Sequence, residues 1–122
     1  MTLALVMLAA AVGAPLRYLV DQAVQHRRDG PFPAGTLTVN VTGSLLLGLL
    51  TGLAAQHGLA PQAVTVLGTG LLGAYTTFST FSYETVRLLE DGAVAEAALT
   101  VAGSLALGLT AAAAGLGLAL LI

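Results

Sequence analysis

The sequence predicts an all-α membrane protein: four transmembrane helices, the third of them broken, in a single domain over residues 1–122. Three observations carry this. Hydrophobic residues make up 57% of the 122 residues and charged residues only 8%, whereas an ordinary soluble domain carries about 25% charge. The apolar mass is Ala, Leu, Val and Gly, with 5% aromatics and no Trp, which suits close-packed helices better than a β core. Finally, the chain divides into four apolar stretches, each long enough for the ~20 residues that span a ~30 Å hydrocarbon core. A soluble enzyme, a disordered segment and a nucleic-acid binder are excluded, the last because the net charge is −2 with four basic residues. With no Cys there is no disulfide frame or thiolate metal site. His26 and His57 fall in separate polar turns.

The four stretches lie at roughly 3–25, 36–56, 62–90 and 94–121. The first lacks a basic leading region and is followed by more apolar chain, so it reads as a helix rather than a cleaved signal. It ends in a turn from Gln25 to Pro33 that holds Gly30, Pro31 and Pro33, a firm break. The second ends at Gln56-His57-Gly58-Leu59-Ala60-Pro61 and the third at Glu90-Asp91-Gly92. Turns this short make consecutive helices antiparallel. Both termini then share one side of the membrane, and the first and third turns share the other. That second side carries Arg27, Arg28 and Arg87, while the first has no Lys or Arg, so the positive-inside rule places the three arginines in the cytoplasm.

Glycine is abundant, at 15 residues. Gly48 and Gly52 form a G-x-x-x-G, and Gly103, Gly108 and Gly115 lie roughly on one face of the fourth helix; both sets read as sites of close helix–helix packing. Gly68, Gly70 and Gly73 match G-x-G-x-x-G, but inside a spanning segment with no βαβ unit around them they do not describe a dinucleotide site.

Polar groups at membrane depth are costly and mark function by default. The first helix carries Arg17 and Asp21; the second Thr36, Thr38, Asn40, Thr42 and Ser44; the fourth Thr100, Ser104 and Thr110. The third is the densest, with six hydroxyls in the eight positions 76–83, directly after Gly68, Gly70 and Gly73. Ser and Thr compete for backbone hydrogen bonds, so this is where a spanning helix is expected to interrupt. An interruption survives in a membrane where protein or a water-filled cavity satisfies the freed carbonyls, and such breaks recur at ion sites. Local back-bonding of the hydroxyls is the alternative.

Phe78 and Phe81 are three apart and share a helix face. They either pack on a neighbouring helix or turn their electropositive ring edges to an anion. Thr77 and Thr80 flank them. The Asn40 amide both donates and accepts, and serves either an interhelical bond or a pore. Arg17, ~12 Å from its helix end at 1.5 Å per residue, either pairs with Asp21 at i+4 or stands as a fixed positive charge at a vestibule. Counted from the arginine-bearing side, Asn40 lies ~7 Å deep, Phe81 ~14 Å, Ser104 ~15 Å and Phe78 ~18 Å. The polar set therefore fills one half of the bilayer and its midplane. A second copy inserted upside down, or an inverted sister subunit, would supply the other half, although the arginine bias points to one fixed orientation.

Three segments, Gly13-Ala14-Pro15-Leu16-Arg17-Tyr18, Gly35-Thr36-Leu37-Thr38-Val39-Asn40-Val41-Thr42-Gly43-Ser44 and Gly73-Ala74-Tyr75-Thr76-Thr77-Phe78-Ser79-Thr80-Phe81-Ser82, resemble the Fluc (CrcB) family of small fluoride channels in order and spacing. The four-helix layout matches too, so the resemblance spans nearly the whole chain. It implies a fluoride-selective channel, not an enzyme, that lets fluoride leave the cell passively through the inner (plasma) membrane. It also implies an antiparallel, dual-topology homodimer in lipid, with two pores. A structural Na⁺ on the dimer axis would be held by main-chain carbonyls of Gly73 and Thr76. Asn40, Phe78, Phe81 and Ser104, with Thr77 and Thr80, would line the pore, and Arg17 would stand in its vestibule. The chain departs from the family pattern in Ala74, where Gly is frequent, and in Thr100, where an aromatic hydroxyl is common.

The rival is a proton-coupled cation transporter like the small multidrug exporters, also four-helical. It needs an intramembrane carboxylate. The first helix offers Arg17 there, with Asp21 near the turn, and the chain has no Trp for an aromatic cage. A structural subunit of a larger membrane complex is a third reading, and it leaves the Gly-then-hydroxyl stretch without a purpose.

Overall fold

The computed structural model describes residues 1–122 and is all-helical. Helices α1 (Thr2–Gln25), α2 (Ala34–His57) and α6 (Val94–Ala119) are each long and apolar enough to cross a membrane. The third span is a composite. It opens with α3 (Pro61–Val64), widens into a π-helical stretch (Thr65–Leu72), tightens again as α4 (Gly73–Tyr75) and then stops. Helix α5 (Ser79–Glu90) completes it. The interruption is present at residues 76–78, at the start of the hydroxyl run and beyond the glycines. Gly68 and Gly70 lie in the π stretch instead, where the wider turn keeps backbone bonds inside the helix.

The boundaries follow from turn chemistry. Pro33 sits at the N-cap of α2, and Pro61 at the first position of α3 lacks the N–H a helix start could not use. Gly58 closes α2 in the left-handed region, φ 61° and ψ 42°, with nothing within 4 Å of where a Cβ would stand. The strain of a side chain there is purely conformational. Gly58→Ala is therefore expected to cost about 1 kcal/mol, read as a lower thermal midpoint in detergent with unchanged helix content.

Only 18 of 122 residues are buried, and the exposed set includes Leu3, Leu8, Leu99, Leu105 and Leu109. An apolar surface of this extent suits hydrocarbon, not water. Within the bundle, α2 packs most extensively on α6, while α1 lies on the π stretch, α4 and α2. Small residues bring the rods together. A Cβ on Gly48 would strike the Ala112 carbonyl, one on Gly52 the Ala119 methyl, and one on Gly115 the Leu45 carbonyl. Gly13 faces the Leu71 carbonyl, and Gly70 faces Val6 and Ala9. The packing expected of the α6 glycines rests on Gly115; Gly103 faces open space and Gly108 is in ordinary contact with Ser44 Oγ, 3.7 Å from where its Cβ would stand.

Candidate functional site

The break organises the polar residues. Thr76 ends the first half of the third span, its N–H and its hydroxyl both donating to the Leu72 carbonyl at 2.9 Å. Its own backbone is extended, φ −77° and ψ 162°, so the chain leaves the helix axis there. Thr77 is buried and restarts it. The Thr77 hydroxyl oxygen accepts the Thr80 N–H at 3.1 Å, which is N-capping by a threonine, and donates its proton to Thr80 Oγ1 at 3.0 Å.

Asn40 of α2 spans the gap. Its Nδ2 donates to the Thr77 carbonyl at 2.8 Å, and its Oδ1 accepts the Thr77 N–H at 2.9 Å. Only this amide orientation satisfies both bonds. The side chain thus takes the place of the helical neighbours that Thr77 has lost, the requirement for any unwound backbone at membrane depth. One Nδ2 hydrogen remains uncommitted. Gly43, one turn on, lets Thr76 and Tyr75 approach α2, for a Cβ there would overlap the Thr76 methyl. The Tyr75 hydroxyl is 2.8 Å from Thr42 Oγ1.

Arg17 does not take the first place the sequence offered it. It forms no ion pair with Asp21. Its Nη1 donates instead to the Thr76 carbonyl at 3.3 Å, bringing a fixed positive charge to the break itself. Arg17 and Asp21 share a cavity of ≈ 200 Å³ with Thr36, Thr77 and Thr80.

On the other side of the break lies a larger groove of ≈ 360 Å³. Asn40, Gly43, Ser44 and Leu47 of α2 form one wall, Ser104 and Leu105 of α6 another, and Gly68, Leu72, Gly73, Thr76, Thr77, Phe78 and Phe81 the third. No ionisable side chain lines it. The rings of Phe78 and Phe81 are 5.8 Å apart between centroids and tilted by 41°. Phe78, which lies in the break and not on a helix face, is 79% exposed, so one wall of the groove is open in the single chain. The structure therefore gathers Asn40, Gly73, Thr76, Thr77, Phe78, Phe81 and Ser104, and places Thr80 and Arg17 on the opposite side of Thr77. Ser44 joins the groove without having been singled out. Its position four residues after Asn40 put it on the same helix face, and that spacing was the available signal.

A bundle of membrane-length helices, interrupted beside an uncharged groove that mixes apolar walls with hydroxyls and one amide, has the build of a small membrane transport protein, with room in the groove for a small ion. The family model of the "CrcB-like protein, Camphor Resistance (CrcB)" matches residues 4–116, and the chain belongs to that family. It is 59% identical over 121 residues to "Fluoride-specific ion channel FluC 1" of Frankia casuarinae, covering 94% of this chain and 93% of the relative. It is 57% identical over 111 residues to the protein of that name from Streptomyces avermitilis, covering 91% and 90%. To "Fluoride-specific ion channel FluC 2" of Mycobacterium tuberculosis it is 50% identical over 107 residues, covering 88% and 82%. These relatives carry the names of channels, not of enzymes.

Proposed function

We propose that this chain is a fluoride-selective channel that exports fluoride passively and so lowers its concentration in the cytoplasm. The observation that carries the reading is the uncharged groove at the break of the third span. Fluoride is small and strongly hydrated, so a pore must replace its water with donors. The groove offers the uncommitted Asn40 N–H, the hydroxyls of Ser104, Ser44 and Thr77, and the ring edges of Phe78 and Phe81, which are the electropositive part of the quadrupole. It has no carboxylate to repel the anion. Arg17 and Thr80, on the far side of Thr77, stand where the ion would enter, and the guanidinium raises its local concentration.

The channel assembles as an antiparallel homodimer of dual topology in the inner (plasma) membrane. The exposed Phe78 and the open wall of the groove support this, because a copy packed against that face would close the pore. A sodium ion on the dimer axis fits the same break. Gly73 is exposed on the surface of the single chain, and backbone carbonyls released from a helix are the oxygen ligands a hard cation takes in membranes. The carbonyls of Gly73 and Thr76 would hold it, that of Thr76 through the lone pair left free by Arg17. The bound ion would supply a fixed positive charge beside the anion's path.

The test is an efflux assay on liposomes that contain this chain alone, loaded with potassium fluoride and opened to potassium with an ionophore. Fluoride should leave without a proton gradient, while chloride-loaded vesicles stay full. Vesicles that retain fluoride would overturn the channel reading, and proton-coupled uptake of an organic cation would assign the chain to the exporters instead.

A further inference from the structure

In an uninterrupted α-helix the N–H of residue 77 would close on the carbonyl of residue 73. Here that N–H is taken by Asn40 Oδ1 at 2.9 Å. The carbonyl of Gly73, a residue exposed on the single chain, is thereby deprived of its helical donor within the third span. An unsatisfied carbonyl in hydrocarbon is costly, so an arrangement that creates one calls for a ligand. We propose that Asn40 is a positioning residue for a monovalent cation: by capturing the Thr77 N–H it keeps the Gly73 carbonyl free as a cation ligand. The proposal rests on the channel reading, and adds that one side chain serves both ions. Asn40 lines the anion groove, where one Nδ2 hydrogen is uncommitted, while its Oδ1 keeps the Gly73 carbonyl free. The Thr77 carbonyl, bonded to Nδ2 at 2.8 Å, fixes the amide so that the two functions cannot exchange ends.

Removing Asn40 returns the Thr77 N–H to the backbone, where it can close on Gly73 and withdraw the ligand. Proline at position 77 cannot do so, since it has no N–H. The extended Thr76, φ −77° and ψ 162°, is the conformation a residue before proline requires.

The experiment is a sodium titration of purified protein, native and variant, following the thermal midpoint in sodium chloride against choline chloride, with no fluoride flux involved. The native protein should be stabilised by sodium. Asn40→Ala should need at least tenfold more sodium for the same gain, and Asn40→Ala combined with Thr77→Pro should recover the native requirement. Thr77→Pro alone, although it loses a groove hydroxyl, should keep the native sodium requirement, which keeps the test open if Asn40→Ala does not fold. An unchanged sodium requirement in Asn40→Ala overturns the proposal, as does a tenfold rise in Thr77→Pro alone or no sodium effect on the native protein. In each of these cases fluoride efflux from native liposomes would still support the channel, whereas sealed native vesicles would remove the channel reading itself.

Discussion

Phe81→Ile should slow fluoride efflux by on the order of 100-fold, about 2.7 kcal/mol on the barrier, while leaving the protein folded. The side chain is half-buried, and its ring lies 5.8 Å from that of Phe78 on the wall of the uncharged groove. Isoleucine retains most of the apolar bulk and so keeps the fold, since swaps of roughly equal volume typically cost less than 1.5 kcal/mol. What it removes is the ring edge, the only electropositive surface the residue presents. An anion stripped of water at that point would meet aliphatic carbon. The comparison is the initial rate of efflux per protein, with thermal midpoint and oligomeric state measured alongside. Native rates in the variant would mean that the ion passes elsewhere.

Gly115→Ala is expected to be among the most damaging single substitutions for stability, at about 3 kcal/mol. Its Cβ would stand against the Leu45 carbonyl and 2.7 Å from the Leu49 amide nitrogen. Both are backbone atoms of α2, so no side chain can rotate away. α2 and α6 would have to separate along their most extensive contact, and with it the groove walls that carry Asn40 and Ser104. Gly103→Ala, in the same helix, is the control. Nothing lies within 4 Å of its Cβ position, and alanine gains up to about 1 kcal/mol of helix propensity over glycine. Unfolding in detergent should therefore separate the two in opposite directions. Equal stabilities would mean that α2 and α6 do not approach this closely.

Much of this molecule is legible in its sequence. The four spans and their order followed from hydropathy and turn residues, because in a bilayer every backbone group must be satisfied inside its own segment, which leaves long helices as the default. The interruption of the third span was legible from glycines followed by a dense run of hydroxyls. Its position, inside the hydroxyl run, was legible as well; the π-helical form of the glycine stretch was not. The glycines are absorbed as a π-helical widening against α1, and the chain breaks only at residues 76–78, where Asn40 and Thr80 take over the bonds of Thr77.

Depth counted along each helix put Asn40 and Phe78 about 11 Å apart, yet Asn40 is hydrogen-bonded to the residue next to Phe78. The count assumes that every helix starts at one level and runs along the bilayer normal, and a sequence gives neither. Arg17 marks the same divide. Its i+4 neighbour was visible in the sequence, but the oxygen it reaches belongs to Thr76, 59 positions away. Composition and local spacing alone pointed to a membrane protein, to where its rods begin and end, and to which polar side chains lie within them. Which of those side chains face one another was decided only by the folded bundle, because glycine-to-backbone contacts set the register between helices, and which glycine meets which backbone leaves no periodic trace in a single strand of residues.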